Sequence, residues 1–414
     1  MIDLCLMNLS NHREKSIVVK KFGGTSVGSV DRIEGVAQRI VQDIESGQQP
    51  IIVLSAMSGE TNRLIRMASE VNPNYRGRAY DMLLASGEQV SISLLAMALE
   101  KRGYSAKPLL AYQIGIKTSA IFSNARIQSI DTKKIQSVLD AGEIPIIAGF
   151  QGLTGEDITT LGRGGSDTTA VAIASALNST VCEIFTDVPA IFTADPRIVK
   201  KAKELKQLSF EEMMEMASLG SKVLHYRSVE LAAKFGVKIH LRSTFEQREG
   251  TWVVPEGETM EAPVVSSVTH DPSIAIIKIF PLPWNEGFMA DLFFELSEKN
   301  VVVDIITQSH NEEGQRLAFS VSESDVPRAL EIVNKLKPET SNVDVMKEVT
   351  KISAVGVGMK NHTGVAARFF KTLYAKNIPI HLVTTSEIKM SAVVAKKHLV
   401  EAANALHTEF GLDQ

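Results

Sequence analysis

The sequence predicts an α/β protein in which a larger domain is followed by a repeated smaller module. Over the first 257 residues, apolar runs of strand length alternate with glycine-rich turns and amphipathic helical segments, as in strand–loop–helix units of α/β folds. In the last third, a pattern of glycine, alanine, phenylalanine and leucine recurs 77 residues further on, with Gly287 matching Gly364. A fixed repeat distance indicates two copies of one module. The chain of 414 residues is long enough for both kinds of domain.

The composition is that of an ordinary globular protein and argues against several classes of function. The net charge of −4 gives no general attraction to nucleic acid, so no nucleic-acid partner is expected. Two cysteines, Cys5 and Cys182, cannot form a disulfide framework, and without a CxxC pair no protein-bound metal site is predicted. Residues 1–16 are interpreted as a short N-terminal extension without the regions of a signal peptide. No apolar run of membrane-spanning length is evident, so we expect a cytoplasmic protein with no membrane partner.

The first predicted strand ends in a lysine and a glycine-rich turn. An apolar run from Ile17 to Phe22 is followed by Gly23 and Gly24, and then by an amphipathic helix predicted from Val30 to Ile44. Strand, glycine-rich loop and helix is the arrangement that presents backbone N–H groups to a phosphate. The cation here, Lys21, precedes the glycines, whereas the lysine of a Walker A motif follows them. The alternative interpretation is a structural turn with an exposed lysine.

A second strand, predicted from Pro50 to Leu54, ends in small and hydroxyl residues. Ligands of open α/β sheets bind at the carboxyl ends of the strands, so Thr61 is either a ligand contact or a helix cap. The helix predicted from Asp81 to Leu99 contains Gly87, although glycine in a helix costs about 1 kcal/mol relative to alanine. A close approach by a ligand or by the backbone would explain it. Glu88 is then either a carboxylate that grips an ammonium group or a surface glutamate.

The N-terminal domain is organised around the segment from Gly162 to Thr169, which reads Gly-Arg-Gly-Gly-Ser-Asp-Thr-Thr. Its three glycines allow the backbone to approach a ligand closely. Ser166 and Asp167 suit the first turn of a helix, where free N–H groups favour an anion. Arg163 adds a planar guanidinium that can grip a carboxylate or a phosphate. A purely structural turn is the alternative, although it would need neither the arginine nor the aspartate.

A later segment carries residues suited to a nucleotide. The strand predicted from Val181 to Phe185 is followed by Thr186 and Asp187. The turn-rich stretch after them offers an aromatic face, Phe192, and a cation, Arg197. Taken alone, Phe192 would more often be a core residue.

The N-terminal domain is predicted to close with a helix and a strand. The helix is predicted to open between Gly220 and His225 and to run to Phe235, with Lys222 at its start. A cation is disfavoured at that end of the helix dipole unless an anionic ligand offsets it. The strand is predicted from Ile239 to Ser243, and the domain ends near residue 257.

Three motifs together resemble the aspartate kinases, a group within the amino acid kinase family. They are Lys21-Phe22-Gly23-Gly24-Thr25-Ser26, the segment from Gly162 to Thr169, and Thr186-Asp187 with Asp195-Pro196-Arg197. They occur in the family's order, and the resemblance covers the chain from about residue 17 to its end. It implies a three-layer α/β/α sandwich over residues 17–257. It also implies ATP-dependent phosphorylation of the side-chain carboxylate of L-aspartate to 4-phospho-L-aspartate.

The resemblance also implies roles for individual residues. Lys21 matches the lysine that stabilises the transferring phosphoryl group, and Asp167 matches the carboxylate that organises that lysine. The positions that hold aspartate are matched by Thr61, Glu88, Arg163 and Ser166. The positions around ATP are matched by Lys21, Phe22, Gly23, Gly24, Thr186, Asp187, Phe192, Arg197 and Lys222. For Phe192 only a stacking role is implied, because the family often has tyrosine there. Mg²⁺ is implied as an ion bound through the ATP phosphates.

The repeated module resembles the ACT domain, a small βαββαβ module that binds amino acids at paired edges. The two copies are predicted over residues 265–340 and 345–414, with first strands at Ile274–Phe280 and Ile352–Val357. The resemblance implies pairing into at least a dimer and inhibition by an end product, lysine or threonine, in the pathway to lysine, threonine and methionine. The candidate effector contacts are Asp304, Gln308, Asn361, Gly364, Thr385 and Ser386. The alternative is that the ACT pair serves only assembly.

Two other hypotheses remain open from the sequence. The first is a kinase of the same family that acts on glutamate, carbamate or a nucleotide; the ACT pair and the loop from Arg163 to Asp167 argue against it. The second is a non-catalytic amino-acid sensor that kept the fold. The presence of both Lys21 and Asp167 argues against the sensor.

Overall fold

The computed structural model describes residues 16–221, 223–258, 263–282, 286–311 and 314–414. These residues form two compact units. The N-terminal unit contains 16–191, 204–214 and 223–258, and the C-terminal unit contains 192–203, 215–221 and the described residues from 263 onward. The predicted N-terminal extension lies outside the described residues except for Ser16, which is the first residue of a strand.

The predicted alternation of strands and helices is present in the first 258 residues. The elements in chain order are β1 (Ser16–Phe22), α1 (Val30–Glu45), β2 (Gln48–Leu54), α2 (Glu60–Val71), α3 (Arg78–Glu100), β3 (Ala106–Leu109), β4 (Lys117–Thr118), β5 (Ile127–Ser129), α4 (Lys133–Asp140), β6 (Ile144–Ala148), β7 (Gln151–Thr154), β8 (Asp157–Thr160), α5 (Gly165–Ala176), β9 (Val181–Thr186), β10 (Ile191–Phe192), β11 (Glu204–Leu205), β12 (Gln207–Ser209), α6 (Phe210–Ser218), α7 (Tyr226–Phe235), β13 (Lys238–Ser243) and β14 (Thr251–Val254).

The N-terminal unit is a three-layer α/β/α sandwich, which confirms the predicted fold class. Its main sheet has the strand order β12-β14-β13-β9-β1-β2-β6-β3, with β1 at the centre and parallel to β2 and β9. Helices α1 and α3 pack against one face of this sheet through an apolar core, and α5 and α7 pack against the other face. A smaller four-stranded sheet has the order β5-β4-β7-β8. The carboxyl ends of β1, β2 and β6 therefore share one edge of the main sheet, where a ligand is expected.

Helix α3 is the long central helix of the N-terminal unit. By length and composition it is apolar enough to cross a membrane, contrary to the expectation from the sequence. However, 56% of its most apolar window is buried, and the helix packs against β6, β3 and α1. Burial explains the apolar composition, so α3 is the core helix of a globular unit.

Two adjacent lysines lie in the buried central strand β1. Their side chains point to opposite faces, because strand side chains alternate. Lys20 is fully buried and its Nζ lies 2.7 Å from Asp43 Oδ2 and 2.8 Å from Glu183 Oε2. Lys21 is 8% exposed and its Nζ lies 2.6 Å from Asp167 Oδ1. Buried charges require such partners, so both faces of this strand hold an ion pair.

The C-terminal unit contains one six-stranded antiparallel sheet covered by helices. Its strand order is β16-β17-β15-β18-β20-β19. The elements are β15 (Ser267–Leu282), α8 (Glu286–Glu298), β16 (Val303–Asn311), β17 (Gly314–Ser322), α9 (Val326–Leu336), β18 (Asn342–Val355), α10 (Val365–Ala375), β19 (Ile380–Thr385), β20 (Lys389–Ala395) and α11 (Leu399–Glu409). The order strand, helix, strand, strand, helix occurs twice, as the repeat predicts.

The two modules share their longest strands, β15 and β18. Residues 274–280 of β15 pair with 342–349 of β18, whereas residues 267–271 pair with 351–355. One apolar core lies under α8 and α9, and a second lies under α10 and α11 and includes Val265 and Val268. Strands β15 and β18 therefore each contribute residues to both cores.

The C-terminal unit also holds two segments that precede it in the sequence. In segment 192–203, Thr193 Oγ1 lies 2.9 Å from Nε2 of the buried His407 on α11, and Ala194 and Val199 pack against Ala403. In segment 215–221, Glu215 Oε1 lies 2.5 Å from Lys389 Nζ at the start of β20. The compact unit is therefore not continuous in sequence.

Candidate active site

A cavity of about 520 Å³ lies at the carboxyl edge of the main sheet in the N-terminal unit. It collects residues from motifs that are far apart in the sequence, which is the usual form of a ligand site in this class of fold. The predicted site residues that line it are Lys21, Gly24, Thr61, Glu88, Arg163, Ser166 and Asp167.

The ion pair of Lys21 and Asp167 lies in this cavity. Lys21 is at the end of β1, and Asp167 is in the first turn of α5, which packs on the same face of the sheet. Their atoms Nζ and Oδ1 are 2.6 Å apart, and both side chains are about nine-tenths buried. The carboxylate therefore fixes the ammonium group at the carboxyl end of β1, where it can face an anion. The two residues were predicted from separate motifs, and the structure brings them together.

The turn after β1 differs in detail from the prediction. The N–H of Gly23 donates to Phe185 O at 3.0 Å, so it is not free for a phosphate. The Phe22 ring is fully buried and stacks on Phe185, so the ring is not open to a ligand. Gly24 lines the cavity, and a Cβ added there would lie 2.9 Å from Ala56 O. The close approach of a neighbouring backbone therefore requires glycine at this position.

The loop that carries Arg163 is shaped by two glycines with positive φ. Gly162 has φ 77° and Gly164 has φ 69°, and Gly164 caps α5, which begins at Gly165. A Cβ at Gly164 would lie 2.2 Å from the Cβ of His225. The exposed side chain of Arg163 stands between these glycines and lines the cavity. Ser166 is buried one position before Asp167, in the same helical turn.

Glu88 is a buried carboxyl group rather than a surface glutamate. Its Oε1 accepts a hydrogen bond from the N–H of Ala56 at 3.1 Å, and among the described residues its Oε2 has no hydrogen-bond partner. Burial raises the pKa of Glu88 to about 8. Gly87 is explained by close packing, because a Cβ there would lie 2.9 Å from Ala56 Cβ. Thr61 lies in the first turn of α2 and lines the same cavity, while the helix is capped by Gly59.

The residues predicted around a nucleotide are divided between the two units. Thr186 ends β9, and its hydroxyl donates to Asp187 Oδ1 at 3.1 Å. Phe192 and Arg197 belong to the C-terminal unit, where Arg197 Nη2 lies 2.7 Å from Asp195 Oδ2. This guanidinium holds the pKa of Asp195 below its usual value.

One predicted nucleotide residue, Lys222, lies outside the described residues. The helix that was predicted to begin near it begins instead at Tyr226, with His225 as its cap. The predicted helix start was therefore wrong, and the helix dipole gives no reason to expect an anionic ligand at Lys222.

The predicted effector residues fall at two separate places. Asp304 and Gln308 lie on β16, and Thr385 ends β19, so the two sets are on opposite edges of one sheet. Asp304 pairs with the buried Lys351. The N–H of Ser386 donates to Lys389 O at 2.9 Å and closes the turn after β19.

The other two predicted effector residues lie before and at the cap of α10. Asn361 ends the 3₁₀ turn Val357–Asn361, and Gly364, with φ 92°, caps α10. Gly364 also borders an open groove of about 1230 Å³ between α10 and α11. The groove is also lined by Lys371 of α10, by Lys376 at the end of that helix and by Lys397 in the turn before α11.

Several residues of the cavity were not predicted from the sequence. Tyr80, Ser123, Phe150 and Thr160 also line it. His225, beside Gly164, carries a buried Nδ1 without a hydrogen-bond partner among the described residues, and desolvation lowers the pKa of this imidazole. These residues belong to no recognisable motif, and their position follows from packing between distant segments.

Comparison with known protein families defines the class of protein. A model of the amino acid kinase family matches residues 16–243, and a model of the ACT domain matches residues 352–410. The chain thus has the fold of an amino acid kinase followed by a C-terminal ACT domain.

The relatives give the family. The chain is 42% identical over 401 residues to aspartokinase 2 of Bacillus subtilis, covering 96% of this chain and 98% of that protein. It is 43% identical over 398 residues to an aspartokinase of Geobacillus stearothermophilus, covering 96% and 97%. A crystal structure of Escherichia coli aspartokinase III with aspartate and ADP matches with a TM-score of 0.80 and 25% identity, over 95% of this chain and 99% of that one. The chain therefore belongs to the aspartokinase family and is a kinase.

Proposed function

We propose that this enzyme transfers the γ-phosphoryl group of ATP to the side-chain carboxylate of L-aspartate, giving 4-phospho-L-aspartate and ADP. The observation that carries the proposal is one cavity in which a Lys21–Asp167 ion pair lies together with Arg163 and Glu88. This reaction needs a cation for the transferring phosphoryl group, and it needs a positive and a negative group to bind the α-carboxylate and the α-ammonium of the amino acid. The names of the relatives and the aspartate and ADP bound to E. coli aspartokinase III support the same substrates.

The reaction requires charge compensation rather than a general base. A side-chain carboxylate has an ordinary pKa near 3.9 and is already ionised at neutral pH. Its oxygen forms a bond to the γ-phosphorus while the bond from phosphorus to the β-phosphate oxygen breaks, and ADP leaves with the electron pair. The barrier lies in bringing two anions together, so positioning and cations are the main devices.

Lys21 is the cation that we assign to the transferring phosphoryl group. Its place at the end of β1 and its 2.6 Å contact with Asp167 give it one fixed position instead of many rotamers. Asp167 orients the ammonium group, and no role as a base is assigned to it.

The two backbone charges of the amino acid are assigned to Arg163 and Glu88. The planar guanidinium of Arg163 suits the α-carboxylate, because it can donate two parallel hydrogen bonds. The unpaired Oε2 of Glu88 suits the α-ammonium group. Ser166 and Thr61 supply hydroxyl groups in the same cavity.

ATP is assigned to the turn after β1 and to the residues that follow β9. Gly24, rather than Gly23, is the glycine that lines the cavity. The other proposed contacts are Lys21, the backbone of Phe22, Thr186, Asp187, Phe192, Arg197 and Lys222. Mg²⁺ would bind through the phosphates and neutralise part of their charge; among the described residues no group of three acidic, histidine or cysteine side chains is placed to hold it.

A substrate panel tests the proposal. Initial rates of ADP formation would be measured with Mg-ATP and, in turn, L-aspartate, L-glutamate, carbamate and a nucleotide monophosphate. We expect turnover that depends on L-aspartate. Turnover with another member of the panel and none with aspartate would overturn the assignment of substrate.

The raised pKa of Glu88 predicts a proton release on binding of aspartate. At pH 7 the free enzyme holds Glu88 mostly protonated, because its pKa is about 8. Pairing with an ammonium group requires the ionised form, so binding lowers this pKa and releases a proton. The affinity for aspartate should therefore rise with pH from 6 to 8, by about tenfold per unit at the acidic end. Calorimetry in two buffers of different ionisation enthalpy measures the released proton.

Glu88→Gln should abolish the proton release, weaken binding of aspartate and flatten its pH dependence. Glu100→Gln is the matched control, since Glu100 is exposed at the far end of the same helix. An unchanged proton release in Glu88→Gln would show that another group binds the ammonium.

For regulation, we propose that an end-product amino acid, lysine or threonine, binds to the ACT modules and inhibits the enzyme. The enzyme would then stand at the start of the pathway to lysine, threonine and methionine, in the cytoplasm, as a homo-oligomer of at least two chains. The predicted contacts lie at both edges of the sheet. We assign the effector site to residues 352–390, which contain Asn361, Gly364, Thr385 and Ser386. Asp304 and Gln308 remain candidate effector contacts at the opposite edge of the sheet, on β16.

Thr385→Val should raise the effector concentration that gives half-inhibition by about fivefold, as expected for loss of one hydrogen bond of roughly 1 kcal/mol. Inhibition would be measured with lysine, threonine and both. Thr307→Val on β16 is the matched control and should leave the inhibition unchanged. Loss of inhibition only through changes between residues 281 and 309 would contradict the assignment.

A further inference from the structure

A buried carboxylate outside the predicted motifs holds the loop that carries Arg163. Asp81 is fully buried in the first turn of α3. Its Oδ2 accepts the N–H of Thr160 at 2.6 Å and that of Ser123 at 2.9 Å. Its Oδ1 lies 3.0 Å from the same Ser123 N–H and accepts the Ser123 hydroxyl at 3.1 Å. One side chain therefore joins the end of β8 to the loop before β5.

An arginine holds the same two segments from the other side. On α7, Arg227 donates from Nη1 to Leu161 O at 2.7 Å and from Nη2 to Ala125 O at 2.6 Å. The N–H of Ala125 also donates to Thr160 O at 2.9 Å. The segments 123–125 and 160–161 are thus tied by two charged side chains and by a backbone hydrogen bond.

These contacts end directly beside the proposed substrate residues. Thr160 and Ser123 line the cavity, and Arg163 follows Thr160 by three residues. Gly162 is held against the same loop, since a Cβ there would lie 3.0 Å from Ser123 O. The Arg163 backbone therefore takes its position from the contacts that Asp81 and Arg227 make.

Asp81 and Glu88 lie on one rigid helix. They are seven residues apart, so they lie on the same face of α3, about 10 Å from each other along its axis. The helix thus presents Glu88 to the cavity and, two turns earlier, anchors the loop of Arg163. Its geometry sets the distance between the group proposed for the ammonium and the group proposed for the carboxylate.

We propose that Asp81 and Arg227 are positioning residues that fix Arg163 relative to Glu88 and so determine how tightly the amino acid is held. The proposal rests on the proposed function for the roles of Arg163 and Glu88. The chemistry of both side chains suits this role, because a carboxylate offers acceptors on both oxygens to converging donors, and the guanidinium fork meets two carbonyls at once. An amide at position 81 would turn an N–H₂ group toward one of the backbone N–H donors.

Asp81→Asn is the variant that tests the proposal. We expect kcat/KM for aspartate to fall by about tenfold to a hundredfold, as for a misplaced binding group, with KM for Mg-ATP within about twofold of the wild type. Asp140→Asn, an exposed aspartate at the end of α4, is the matched control and should change neither constant.

The double variant Asp81→Asn/Arg163→Ala separates positioning from general stability. If Asp81 acts through Arg163, the double variant should be no worse than Arg163→Ala alone. Fully additive losses, or an equal rise in KM for Mg-ATP, would overturn the proposal.

Two further measurements keep the test decisive. Should Asp81→Asn fail to fold, Arg227→Lys, which keeps the charge but not the two-pronged contact, should show the same non-additivity with Arg163→Ala. Binding of aspartate would also be measured directly by calorimetry. If the wild-type enzyme does not turn over aspartate but the variants bind it more weakly and non-additively, the positioning role is upheld and the proposed reaction is refuted. If aspartate is turned over but the losses are additive, the reaction is upheld and the positioning role is refuted.

Discussion

Lys21→Met is expected to lower kcat for aspartate-dependent ADP formation by about 100-fold to 1,000-fold, the range for removal of one group that stabilises transition-state charge. Lys21 is the cation at the end of β1, held 2.6 Å from Asp167 in a largely buried setting. Methionine has a similar length and shape but no charge. The KM for aspartate should change much less, because Lys21 is assigned to the phosphoryl group and not to the amino acid.

Two variants control this experiment. Lys101→Met removes an exposed lysine paired with Glu34 and should leave kcat unchanged. Lys21→Met leaves Asp167 as a buried carboxylate without its partner, so the double variant Lys21→Met/Asp167→Asn restores the charge balance and separates loss of stability from loss of catalysis. Turnover of Lys21→Met at the wild-type rate would refute the mechanism.

Arg163→Ala is expected to raise the KM for aspartate by about 10-fold to 100-fold, because hydrogen bonds to charged groups contribute roughly 1.5–3 kcal/mol and each 1.4 kcal/mol is tenfold. The KM for Mg-ATP should stay close to that of the wild type. Both constants come from initial rates with the other substrate saturating. Arg163→Lys should give an intermediate value, because lysine keeps the charge but cannot donate two parallel hydrogen bonds.

Arg78→Ala is the matched control for Arg163, since its side chain is exposed at the start of α3. It should change neither KM. A rise in the KM for Mg-ATP alone in Arg163→Ala would assign this arginine to the nucleotide and would overturn its role with aspartate.

The parts of the fold that the sequence predicts well are those encoded within a few residues. Apolar runs and glycine-rich turns locate β1, β2 and α3, because strand and helix periodicity is a local property. The same locality identifies Lys21 and the loop around Arg163, where several chemically unusual residues stand together. The repeat of 77 residues predicts the order of elements in the C-terminal unit, because copies of one module share a pattern.

What the sequence does not show depends on contacts between distant residues. The hydrogen bond between Asp81 and Thr160 spans 79 residues, and nothing near either residue marks it. The sharing of β15 and β18 by two cores likewise follows from strand pairing, which alone places β16 and β19 on opposite edges. The use of the Gly23 N–H by Phe185 is a third case, in which a neighbouring strand takes a donor that the motif by itself would leave to a ligand.

The identity of the product tests the central claim most directly. The enzyme would be incubated with Mg-ATP, L-aspartate and hydroxylamine, which traps an acyl phosphate as a hydroxamate, and the product would be identified by mass spectrometry. We predict the side-chain hydroxamate of aspartate, formed in step with ADP and nearly absent with Lys21→Met. ADP formation without any hydroxamate, or at the same rate without aspartate, would contradict phosphorylation of the side-chain carboxylate.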